Sequence, residues 1–120
     1  MTQSDFSKRT PEETFGHHAQ TLIAEDLDGI LADYTDSSIL VSPAGVLQGK
    51  TAIRGFFAEL LRALPQAKWG VKTTYVEHIL FLEWTADSAK ASVSDGVDTF
   101  IFKDGMIHMQ TVRDTIVPKR

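Results

Sequence analysis

The chain has no cysteine among its 120 residues. That excludes disulfides, thiolate metal sites and a cysteine nucleophile. No apolar run approaches the roughly 20 residues that span a bilayer, and the opening MTQSDFSKRTPEET lacks the apolar core of a secretory signal. Cationic clusters are missing too. Twelve lysines and arginines lie scattered against sixteen acids, for a net charge of −4 and a pI near 5.5. Phosphate backbones call for clustered cations, so no nucleic-acid partner is expected. Gly49-Lys50-Thr51 ends like a phosphate loop but lacks its upstream glycine spacing. His17 and His18 are adjacent and diverge on a helix, and no other spacing resembles a metal site. The expectation is a cytoplasmic protein with no metal, cofactor or membrane partner, and with no repeats or linkers.

What is present suits one soluble domain. Hydrophobic residues make up 42% and charged ones 23%, ordinary for a globular protein, and this length allows burial of roughly two-thirds of the unfolded surface. Residues 1–9 lack periodicity and read as a flexible tail, leaving 10–120 as the domain. Thr10-Pro11-Glu12-Glu13 has capping-box spacing with proline at the first helical position. Phe15, His18, Ala19, Leu22 and Asp26 then share one helical face, with His17 on the opposite side. A second short helix is predicted from about Leu27 to Tyr34, then a strand at Ser38 to Ser42, a turn at Pro43-Ala44-Gly45 and a short return strand. The strongest helix runs from about Thr51 to Leu64 and ends at Pro65. The remainder reads as β: Trp69 to Trp84 with a bulge or tight turn near Glu77-His78-Ile79, Lys90 to Phe102, and Met106 to Val117 after an Asp104-Gly105 hairpin. Helices first and strands after indicate an α+β domain, helices packed on a curved antiparallel sheet around one apolar pocket.

Four segments in order carry a resemblance: Asp26-Leu27-Asp28-Gly29-Ile30, Val41-Ser42-Pro43-Ala44-Gly45, Gly49 through Phe57 (GKTAIRGFF), and Gly96 through Gly105 (GVDTFIFKDG). Together they resemble the SnoaL-like and ketosteroid isomerase-like proteins of the nuclear transport factor 2-like superfamily. The resemblance implies a conical α+β barrel with a deep pocket for a small, mostly apolar carbonyl compound, commonly a homodimer packed through the outer sheet face. This family mixes isomerases, cyclases, hydrolases, dehydratases and non-enzymatic modules, so function has to be argued from the site.

Each role of the isomerase pattern transfers separately. The isomerases use an Asp base with an oxyanion hole of Tyr and a protonated Asp. Asp98, before Phe100 and Phe102, matches the protonated Asp; a carboxyl among rings would favour its neutral form. Alternation alone favours a strand Asp facing solvent or paired with a turn N–H, and the resemblance puts the pocket position ahead. His18 stands at the Tyr position and lies on the apolar face between Phe15 and Leu22. It is either a group that meets a ligand oxygen or a satisfied core histidine. Ser42 stands where the isomerases carry the base, and a serine hydroxyl is no carbon base near neutral pH without strong activation. Alternation groups His108, Gln110, Val112 and Asp114 on one face of the last strand, from which Asp114 is the candidate substitute base. Tyr34 and Phe57 match pocket-lining positions; Trp69, Trp84 and Met109 read as core or dimer-face residues. An Asp-Arg-Asp hydrolase set is not favoured, since Arg54 lies on the polar side of its helix and Arg113 has the opposite parity to Asp114. Two readings follow: acid–base chemistry of isomerase or cyclase type using His18, Asp98 and Asp114, or a non-catalytic binding or accessory dimer.

Overall fold

In the computed structural model, residues 6–120 are described. Thr10 starts helix α1 (Pro11–Ile23) as its spacing predicts: its hydroxyl accepts from the Glu13 N–H at 3.1 Å, and the Glu13 carboxylate accepts from the Thr10 N–H at 2.8 Å. Helix α2 (Leu27–Leu31) is capped by the Asp26 carboxylate on the Gly29 N–H and stops three residues short of the predicted Tyr34. The reason lies in Asp33, whose carbonyl accepts from the Ile107 N–H at 2.8 Å and draws the chain into the sheet. Tyr34 therefore opens strand β1 (Tyr34–Ser42), which pairs with β2 (Gly45–Gln48). Helix α3 (Lys50–Ala63) follows and buries Ile53 and Phe57.

Strands β3 (Lys68–Val76) and β4 (Ile79–Asp87) are joined at Glu77-His78, the predicted break, where Glu77 takes a left-handed φ of 52°. Strands β5 (Ala91–Lys103) and β6 (Met106–Arg113) flank the Asp104-Gly105 turn. The predicted last strand is interrupted after Arg113, and its end forms a separate strand β7 (Val117–Pro118) beside β5. The sheet order is β2-β1-β6-β5-β4-β3. The sheet is mixed, which corrects the antiparallel expectation: β1 runs parallel to β6, because α3 carries the chain across before the meander begins.

Two irregularities decide which side chains enter the core. In β4, Leu80, Leu82, Trp84 and Ala86 are buried in strict alternation. Opposite them, the pairing of β5 slips between Ala86↔Val93 and Trp84↔Gly96. One extra residue of β5 lies there, so the buried parity changes from Ala91 and Val93 to Asp98, Phe100 and Phe102. In β6 the slip falls between Phe102↔Ile107 and Ile101↔Met109, which leaves His108 as the extra residue. The buried side chains there are Ile107, Gln110 and Val112.

The segment before α1 is not wholly loose. Phe6–Lys8 forms a 3-10 turn, and the Arg9 guanidinium meets the buried Asp33 carboxylate at 2.9 Å and the Gly105 carbonyl at 2.7 Å. The rest of the expected tail, residues 1–5, lies outside the described residues.

Candidate functional site

Helices α1 and α3 close over the inner face of β3 to β6 and leave a cavity of about 120 Å³. Its walls are predominantly apolar and aromatic, with Phe15 from α1, Phe56 and Phe57 from α3, Trp69 from β3, and Phe100 from β5. Among the described residues, His18, Asp98 and Gln110 bring polar side chains to it. At its rim Ile23 and Val71 are 63% and 56% exposed, so the mouth is itself apolar.

His18 is buried among rings, with centroids of Phe57 and Phe100 each at 5.5 Å and those of Phe15 and Tyr34 each at 6.1 Å. Its Nδ1 has no hydrogen-bond partner among the described residues. Loss of water, with His17 adding a smaller push, lowers its pKa to about 4, so the imidazole is neutral near pH 7. A neutral imidazole offers one N–H and one acceptor.

Asp98 is also buried, and both its oxygens are engaged. Trp84 donates its indole N–H to Oδ1 at 2.9 Å, and Gln110 donates its amide N–H to Oδ2 at 2.9 Å. Burial, with a smaller push from the Asp114 charge, raises the carboxyl pKa to about 6 against the two donors, which hold it down. Gln110 accepts in turn from the Tyr34 hydroxyl. Tyr34 is 1% exposed and stands behind the cavity wall, and its own pKa lies well above the ordinary value. The reach of Trp84 depends on Gly96: a Cβ there would come within 2.2 Å of the indole ring.

Thus Phe15, His18, Phe57, Asp98, Phe100, Gln110 and Val112 line one cavity, with Tyr34 in the layer behind. Three expected site residues are elsewhere. Ser42, at the end of β1, is half-buried, and its hydroxyl accepts from the Ala44 N–H at 3.2 Å in its own turn. His108 is turned out of the Gln110 face by the β6 bulge and lies in an outer depression with Arg9 and His78. Asp114 follows the last residue of β6, half-buried beside Asp95, and does not line the cavity. Trp84 was read only as core or interface. Its partnership with Asp98 had a trace in the sequence: Gly96 is the residue across from an indole that needs flat space.

No group of three or more His, Asp or Glu side chains gathers as a metal site among the described residues, and no helix among them is long and apolar enough to cross a membrane.

The chain shares this architecture with solved structures at low identity. A SnoaL-like protein of unknown function from Burkholderia thailandensis superposes with a TM-score of 0.71 at 18% identity, over 96% of this chain and 99% of that one. IdmH of Streptomyces antibioticus, a candidate polyketide cyclase, gives 0.74 at 10%, over 88% and 92%. A candidate ketosteroid isomerase from Kribbella flavida gives 0.73 at 12%, over 92% and 81%. At these identities the likeness is one of fold. No curated protein matches the chain. The model of the SnoaL-like domain, however, matches residues 16–108, from α1 to the bulge of β6. The chain belongs to the SnoaL-like family.

Proposed function

We propose that this chain performs acid–base chemistry on a small, neutral, mostly apolar carbonyl compound, with Asp98 as the base and His18 as the hydrogen-bond donor to the carbonyl oxygen. One observation carries the reading: among the described residues, the only ionisable side chains lining the cavity are an imidazole kept neutral and a carboxyl whose pKa is pushed up to about 6. A base is most effective when its pKa lies near the working pH. Asp98 meets that condition, mostly ionised at pH 7 yet with a strong affinity for a proton. The unpartnered imidazole supplies the second requirement, a donor in dry surroundings for the oxygen on which enolate charge develops. No cation among the described residues lines the cavity, which disfavours anionic substrates. Asp114 drops out as the base, since the role falls to the carboxylate already inside.

Deuterium exchange at the α-carbon of 2-tetralone, followed by NMR, tests this. The protein is expected to accelerate exchange, with Asp98→Asn losing roughly 10²- to 10⁴-fold and His18→Phe roughly 10²- to 10³-fold. Ligand-induced shifts at cavity residues without exchange above the Asp98→Asn background would instead identify a non-catalytic binding module, the reading favoured by Ser42 lying outside the cavity.

A homodimer has a face available. Across the outer sheet surface Val76, Ile79, Ile101, Met109 and Ile39 stand in one cross-strand row, and Thr74, Phe81, Thr99, Thr111 and Val41 in the next. Val76, Ile79 and Phe81 are 62%, 38% and 43% exposed. Light scattering at micromolar concentration is expected to give twice the 13.3 kDa chain mass, and Phe81→Lys to shift it to the monomer; a monomeric parent protein would overturn this arrangement.

A further inference from the structure

We infer that Tyr34, which lies behind the cavity wall, sets the proton affinity of Asp98 through the Gln110 side-chain amide. This deepens the reading of Asp98 as the base and assigns Tyr34 and Gln110 as positioning residues.

The argument rests on an amide having two unlike ends. Gln110 Nε2 donates to Asp98 Oδ2 and Gln110 Oε1 accepts from the Tyr34 hydroxyl. In this orientation the amide supports a carboxylate, which can only accept. Reversed, Oε1 would face Asp98 and require a proton on the carboxyl, while the amide N–H would face the phenol oxygen. The orientation of one amide is therefore tied to the presence of one proton. Tyr34 biases that choice. Its hydroxyl retains its proton at every physiological pH, because burial and the charges of Asp98 and Asp33 oppose ionisation. As a donor it holds Oε1 towards itself and so presents N–H to Asp98. Without it, the reversed amide costs less and the protonated carboxyl gains.

The other groups around Asp98 do not supply this bias. Trp84 of β4 donates to Oδ1 in either amide state. His18 of α1 is neutral, Asp114 beyond β6 adds negative charge, and α3 brings only Phe56, Phe57 and Leu60 to the cavity. Protonation of Asp98 is thus controlled from one side, along β6 to β1.

The test is direct titration of the Asp98 carboxyl carbon by NMR on ¹³C-labelled protein, which needs no turnover. Tyr34→Phe is expected to move the Asp98 midpoint upward by roughly half to one pH unit, the worth of one neutral hydrogen bond. Gln110→Leu should move it upward as well, and adding Tyr34→Phe to Gln110→Leu should move it no further. Replacing Tyr34 with 3,5-difluorotyrosine, a stronger donor of nearly the same shape, should move the midpoint down and keeps the test open if a truncation fails to fold. An unmoved midpoint in Tyr34→Phe overturns the inference, as does a shift of equal size in the Gln110→Leu background. The acidic limb of the exchange rate should follow the midpoint. If the midpoint moves while no variant catalyses exchange, the relay stands and the enzymatic reading fails.

Discussion

Asp98→Asn is expected to stabilise the protein at pH 7 while removing the base proposed above. The folded carboxyl titrates at about 6 against 3.8 for the free group. Between these values the folded state holds more protons than the unfolded one, so stability falls as pH rises, and the loss is complete above about 6. The gap corresponds to about 3 kcal/mol, the upper bound of what Asn recovers at pH 7. Asn fits because the hydrogen-bond chain is reversible. Its carbonyl accepts from Trp84, its amide donates to a turned Gln110, and Gln110 donates to the Tyr34 oxygen. His18 works in the opposite sense. Its pKa is lowered from 6.5 to about 4, so the unfolded state binds more protons in that window and stability rises with pH, again by about 3 kcal/mol. In the parent protein these two slopes oppose and nearly cancel between about pH 4 and 6. Urea unfolding of Asp98→Asn across that range should reveal the rising slope alone, and His18→Phe the falling slope alone. A flat profile in both variants would mean that neither group is held as described. Keeping both groups dry costs the protein stability at the pH values where each would otherwise be charged.

The elements and the inward face of α1 were legible because helix signals are local: a capping box, a proline stop and an apolar stripe each act within a few residues. The stripe turned His18 inward independently of its match to the isomerase Tyr position. The sheet was less legible because alternation says which residues share a face only while the register is unbroken. Asp98 is inside because β5 gains one residue after Val93, and His108 is outside because β6 gains one before Met109. Neither bulge has a strong local signature, although Gly96 beside the first is a partial one. Asp114 keeps the parity of Gln110 and Val112 but falls outside for a different reason: β6 ends at Arg113, so alternation no longer applies to it. The parallel pairing of β1 with β6 depends on where α3 sends the chain, which no residue pattern within β1 records. Ser42 was chosen by resemblance to the isomerases. Its hydroxyl is bound in its own turn because the strand ends there.

Arg9→Ala is expected to destabilise the protein by about 3–5 kcal/mol, the usual consequence of leaving a buried charge with part of its partnership removed. The Asp33 side chain is fully buried and is met by Arg9 Nη1 at 2.9 Å and His17 Nδ1 at 2.8 Å. Arg9 also donates through Nε and Nη2 to the Gly105 carbonyl, which Thr14 shares, and its guanidinium lies 3.8 Å over the Phe6 ring. The Phe6 backbone lies so close to Gly105 that a Cβ there would come within 1.6 Å of the Phe6 carbonyl oxygen. The hairpin glycine therefore serves twice, for its φ of 73° and for the segment packed on it. One side chain thus ties the segment before α1 to the α2–β1 corner and to the β5–β6 turn. The damage has a pH signature. Burial already raises the Asp33 pKa, while His17 and Arg9 restrain it. Without Arg9 the folded value climbs further above the free-carboxyl value, so the loss of stability must grow as pH rises and shrink in acid. Urea unfolding at pH 4.5 and 7.5 should therefore show the larger deficit at 7.5, and Asp33→Asn in the Arg9→Ala background should recover much of it. A deficit equal at both pH values, or undiminished by Asp33→Asn, would mean that Arg9 acts through its packing on Phe6 and its bonds to Gly105, and that the buried charge of Asp33 is held by His17 alone.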